Sequence, residues 1–185
     1  MKEEKFLYKF NELFIEDENF SNYGNKAICI NQLKQWQFPV PDSVFLSGSL
    51  TEKIIEGEEI PSDILGFFRN EFVILRTSPI SGTFDNEMPF LYLGLNDQSY
   101  RILVKRVGKP SARFIYLTFL RNFAISVFNM NIEEFALLDK TELERPSKDK
   151  TSFDDNEFTI FNKYKELIVS KTGNHLPSSL SEQIR

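Results

Sequence analysis

Cysteine and histidine are nearly absent: Cys29 and His175 are the only examples in 185 residues. A single cysteine forms no internal disulfide, and with a single histidine it builds no Cys/His metal cluster from this chain alone. Also missing is any apolar run near the ~18 residues that a membrane-spanning helix needs. The opening MKEEKFLYKF has no apolar stretch of the kind a secretory signal carries. These absences point to a reducing, cytoplasmic setting with no membrane partner. Positive charge is in deficit too, with 22 Lys and Arg against 27 Asp and Glu, a net charge of −5. A general polyanion binder is basic, so nucleic acid is not expected as a partner. There is no repeat period and no low-complexity tract.

What is present suits a folded chain. Hydrophobic residues make up 41% and charged residues 26%, which excludes a disordered polymer. The length allows one domain, or one domain with a subdomain, and a sizeable core. Phenylalanine is abundant at 19 residues, and those rings need a core or an interface.

Residues 6–10 alternate weakly and predict a short strand, and 11–24 read as a polar loop. Ala27, Ile30, Leu33 and Trp36 or Gln37 recur at helical spacing, which predicts a helix over 25–37 that Pro39 and Pro41 end. On that helix Cys29 is expected in the core. A short strand is expected at 43–46. Ser49-Leu-Thr-Glu52 has the spacing of a capping box and predicts a helix over 50–57, with another short helix over 61–70. Glu71-Phe-Val-Ile-Leu-Arg76 reads as a strand buried on both faces, followed by a loop over 77–87 and a strand over 90–93. From there the pattern turns helical. Asp97 is expected to cap a helix over 98–107 that Gly108 closes. A long, nearly all-apolar helix runs from Pro110 or Ser111 to Met130, and a capping-box-like Asn131-Ile-Glu-Glu134 starts a helix to Leu138. Residues 141–156 form a charged linker. A final helix over 157–171 aligns Phe158, Phe161, Tyr164 and Ile168 and stops at Gly173. The chain therefore divides near residue 97 into a mixed α+β part, residues 1–97, and a helical part, 98–185.

Four stretches bear on chemistry. Tyr23-Gly24-Asn25-Lys26 puts a glycine turn and a lysine at a helix start, which suits a phosphate or is an ordinary turn with a solvated lysine. Arg76 ends a strand, where a guanidinium can hold a phosphate in two-pronged fashion or simply leave the sheet. The loop Thr77-Ser78-Pro-Ile-Ser-Gly-Thr83 offers hydroxyls to phosphate oxygens. His175 lies in a polar stretch without an orienting partner and reads as a surface residue.

Taken in order, these stretches resemble the N-terminal ATP-binding domain of the pyruvate phosphate dikinase and phosphoenolpyruvate synthase family. The matching segments are Phe6–Phe10, Tyr23-Gly24-Asn25-Lys26-Ala27, Phe38-Pro-Val-Pro-Asp-Ser-Val-Phe45, Val73-Ile-Leu-Arg76-Thr77-Ser78 and Leu93-Gly94-Leu95-Asn96-Asp97. Further on, Gly108-Lys-Pro-Ser-Ala-Arg113-Phe114-Ile-Tyr116 and the closing run from Lys163 through Gly173, Leu176-Pro177 and Gln183 also match. The resemblance implies a partial ATP-grasp fold followed by an all-helical insertion. It implies that Lys26 and Arg76 hold nucleotide phosphates, that Gly24, Thr77 and Ser78 line the loop, and that ATP and Mg are the cofactors. No residue is assigned a catalytic or metal-binding role.

The sequence departs from the family in three ways. Asn25 replaces the second glycine before the lysine. The family's Met-Pro-Gly-Met-Met-Asp-Thr loop is rewritten, so that Asp85, Met88 and Pro89 fall where its glycine, aspartate and threonine stand. The half of the fold that supplies acidic metal ligands is absent, as are the phosphohistidine and pyruvate-binding domains. The expected function is the ATP-binding part of a dikinase-like phosphotransferase that is inactive alone. The alternative is a degenerate binding or partner-docking module. A second copy, or another chain supplying the missing half, is the expected protein partner, because an uncovered sheet edge and apolar surface favour association.

Overall fold

The computed structural model describes residues 7–9, 20–68, 72–79, 89–143 and 155–184. The chain forms two compact units. One comprises residues 1–67 and 76–89, the other 68–75 and 90–184. The class is α+β: helices dominate, and the described strands form two separate two-stranded antiparallel sheets.

In the first unit, β1 (Leu7–Lys9) pairs with β2 (Val44–Leu46) in the register Leu7–Leu46, Tyr8–Phe45 and Lys9–Val44. A 3₁₀ turn (Phe20–Tyr23) leads into α1 (Gly24–Gln35). The apolar stripe expected on α1 does not match its buried side, which is Gly24, Ala27 and Asn31. Trp36 is 62% exposed, and Cys29, expected in the core, is exposed. Of the expected stripe only Ala27, packed with Ile28, Phe45 and Tyr23, is fully buried, while Ile30 is half-buried and Leu33 and Trp36 are exposed. The next helix, α2 (Gly48–Ile55), is capped by Ser47 rather than Ser49. Ser47 has the extended backbone that a cap requires, and its Oγ accepts from Leu50 N–H at 3.2 Å. A short helix, α3 (Ser62–Phe67), follows, with Ile60 and Ile64 buried.

In the second unit, β3 (Val73–Leu75) pairs with β4 (Phe90–Leu93), Val73 facing Leu93. The expectation of burial on both faces fails: Ile74 is 55% exposed and Leu75 37%. Among the described residues this sheet has two strands, too few for the doubly covered parallel sheet in which such a run is buried on both faces. The composition change at residue 97 falls inside this unit, whose core joins β4 to the helices. Those helices are α4 (Asp97–Val107), α5 (Lys109–Phe128), α6 (Ala136–Leu143), α7 (Asp155–Thr172) and α8 (Leu180–Ile184). A 3₁₀ turn, Ile132–Phe135, precedes α6 where a helix start was expected, with Asn131 Oδ1 accepting from Glu133 N–H.

The aromatic abundance is spent largely here. Tyr100 of α4, Tyr116 of α5 and Phe161 of α7 are fully buried. Tyr100 stacks on Tyr116 at 5.4 Å, and Phe161 meets both edge-on at 4.9 and 4.6 Å. Offset and edge-to-face rings are the favoured aromatic geometries. On the same face of α7, as the spacing predicts, Tyr164 and Ile168 are fully buried and Phe158 is half-buried. Gly173, in the left-handed region at φ 72°, follows α7.

Candidate anion-binding site

Tyr23, at the cap position of α1, offers no side-chain cap. Its helix is closed from a distant part of the chain instead. Asn25 N–H donates to Pro79 C=O at 3.0 Å. Ala27 N–H donates to Ser78 Oγ at 3.3 Å, a bond between residues 51 apart in sequence. Gly24 makes this approach feasible. It is buried at φ 79°, and a Cβ there would lie 1.7 Å from the carbonyl oxygen of Ser78. Only glycine satisfies both the conformation and the space.

Two of the sequence's candidate segments, Gly24–Lys26 and Arg76–Ser78, are thereby held against each other within the first unit. Lys26 lies between the two bonded amides and is half-buried. Arg76 is exposed two residues before Ser78, which limits its separation from that serine to about 7 Å of chain. Neither cation forms an ion pair among the described residues. Thr77 is exposed and Ser78 half-buried. One detail of the expected chemistry changes. The amides of Asn25 and Ala27, expected to face an anion, already donate to Pro79 and Ser78, so Ser78 Oγ serves the helix first. Two of the first amides of α1 are therefore not open to an anion. The expected loop positions 80–88, with Asp85 and Met88, lie outside the described residues.

Other residues behind the resemblance have structural work in the second unit. In Leu93-Gly94-Leu95-Asn96-Asp97, Asn96 rather than Asp97 caps α4. Its Oδ1 accepts from Gln98 and Ser99 N–H at 2.9 and 2.8 Å, and Ser99 Oγ accepts Asn96 N–H at 2.8 Å. Buried Gln183 of α8 closes the segment. Its Oε1 accepts Gly94 N–H at 2.7 Å, and its Nε2 donates to Leu95 C=O and Pro177 C=O, each at 3.0 Å. Asp97 Oδ1 accepts from Tyr116 Oη at 2.7 Å and from Lys165 Nζ at 2.6 Å. Burial first, and that bond second, push the Tyr116 phenol well above its usual pKa. The Tyr164 phenol, donating to Asp139, is raised for the same reasons. These networks were not foreseen from the sequence: acid and tyrosine lie 19 positions apart in one pair and 25 in the other.

His175 is exposed, as expected. Among the described residues no three His, Cys, Asp or Glu side chains come together as a metal site, and no helix is long and apolar enough to cross a membrane. Compared with models of known protein families and with curated proteins, the chain matches none of them.

Proposed function

We propose that the first unit binds the phosphates of a nucleotide, as the ATP-binding part of a phosphotransferase like pyruvate phosphate dikinase, with a partial ATP-grasp fold. The observation that supports this reading is the Gly24–Ser78 contact, which holds the lysine turn against the segment that carries Arg76. Two cations with no ion-pair partner among the described residues, carried by two segments that meet at the Gly24–Ser78 contact, are the groups that would neutralise a polyphosphate. Arg76 supplies a planar fork, and Lys26 a point charge. Mg would enter with the nucleotide, screening its phosphates. The described residues offer it no three-ligand cluster, and no step is assigned to it. The occupied amides of Asn25 and Ala27 favour a second reading, a module that binds without turnover.

Titration calorimetry of wild type, Lys26→Ala and Arg76→Ala with Mg-ATP tests the proposal. Each substitution should weaken binding about 10- to 100-fold, the loss expected when a charged hydrogen bond is removed. Absence of binding in wild type, or equal affinity in all three proteins, removes the nucleotide. Release of AMP from ATP by the purified chain would overturn the expectation that it is inactive alone.

A further inference from the structure

Residues 98–132 hold six cations (Arg101, Lys105, Arg106, Lys109, Arg113 and Arg121) and no Asp or Glu, within a chain of net charge −5. Helix α4 buries Tyr100, Leu103 and Val104 and turns Arg101, Ile102 and Lys105 outward, all exposed. Arg101 and Lys105 stand one turn apart, a like-charge spacing that disfavours a helix. Neither forms an ion pair among the described residues, whereas Arg121, Lys165 and Lys171 each have an acidic partner.

The end of α2 carries the opposite pattern. Glu52 and Glu56 are exposed and one turn apart, beside Ile55, which is 79% exposed, the most of any large hydrophobic residue described. Carboxylates at a helix C-terminus oppose its dipole, and these two also form no ion pair among the described residues. Each helix thus bears a like-charge pair with no ion-pair partner among the described residues, with the same axial spacing of about 6 Å and an exposed isoleucine alongside.

We propose that the outward face of α4 docks the C-terminal end of α2 from a second copy of the chain. Arg101 and Lys105 pair with Glu52 and Glu56, and Ile102 meets Ile55. A second copy fits better than nucleic acid, because an isoleucine lies among the cations and the chain as a whole repels a long polyanion. The two patches differ, so the interface is head-to-tail and propagates into a ring or an open chain.

Sedimentation velocity over a concentration series tests this. At about 50 mM salt the weight-average mass should rise with concentration, and at about 500 mM the association should weaken at least about tenfold. Glu52→Lys with Glu56→Lys, and separately Arg101→Glu with Lys105→Glu, should each abolish association. An equimolar mixture of the two variants should restore it, because each then supplies the patch that the other lacks. The milder pair Arg101→Gln with Lys105→Gln should weaken association without reversing charge. A monomer at every concentration in low salt, association indifferent to either reversal, or a mixture that stays monomeric overturns the proposal.

Discussion

In the helical unit Asn96, Asp97 and Gln183 have their polar atoms bonded to groups of the same unit, whereas in the N-terminal unit Lys26 and Arg76 have no ion-pair partner among the described residues. The contrast separates two kinds of motif that look alike in a sequence. Leu93-Gly94-Leu95-Asn96-Asp97 is the more specific pattern, yet its polar groups cap α4, bond Gln183 of α8 and accept from a buried tyrosine. The turn at Gly24–Lys26 is a weaker pattern. Its glycine is nevertheless fixed by a close approach, and its lysine has no ion-pair partner among the described residues. Polar groups already satisfied inside a fold have little left to offer a substrate.

The largest test of this contrast is Phe161→Ala. Phe161 is fully buried between two tyrosine rings, so its removal leaves a cavity and should cost about 3–5 kcal/mol in urea unfolding. The nucleotide affinity assigned to the first unit should be unaffected at temperatures where the protein stays folded. If that affinity falls with stability, the assignment of the site to the first unit fails. Next comes Gly24→Ala, which meets both the left-handed backbone and the Ser78 carbonyl. A loss of about 2 kcal/mol is expected, the backbone strain alone accounting for about 1–2, together with loss of Mg-ATP binding measured by calorimetry. Unchanged stability would show that the Gly24–Ser78 approach is not a constraint.

The smallest effect belongs to pH. The Tyr116 and Tyr164 phenols are raised above their ordinary value of 10.0 in the folded state. The stability they contribute is complete below about pH 10 and is lost as pH rises above it, because the unfolded chain releases those protons first. Tyr116→Phe should remove part of that alkaline decline and cost about 1 kcal/mol near neutral pH, by loss of the bond to Asp97. Urea midpoints measured from pH 8 to about 11 check both. An alkaline slope that is unchanged in the variant would mean that Tyr116 is not the titrating group.

Much of the helical unit was legible. The spacing of Phe161, Tyr164 and Ile168 marked the buried side of α7, and Gly108 and Gly173 marked helix ends, because a 3.6-residue period and a glycine stop are local properties of a chain. Caps were read one or two residues late. Ser47 and Ser49, like Asn96 and Asp97, are equally good cap residues by type, and only the backbone entering each helix chooses between them. Burial on β3 and around Cys29 was misread for a different reason. An apolar run says that a strand or helix can be covered, not that anything is there to cover it.

The amino-acid order by itself determined an α+β chain, an aromatic helical core, a glycine turn before Lys26 and an arginine after a short strand. Tertiary structure alone decided that Ser78 and Pro79 would close the first turn of α1, and so that the lysine turn and the arginine segment share one unit. No local rule could supply that answer. The helix carries no cap of its own, and the oxygens that satisfy its amides come from residues more than fifty positions away, brought in by a glycine with no side chain to block them.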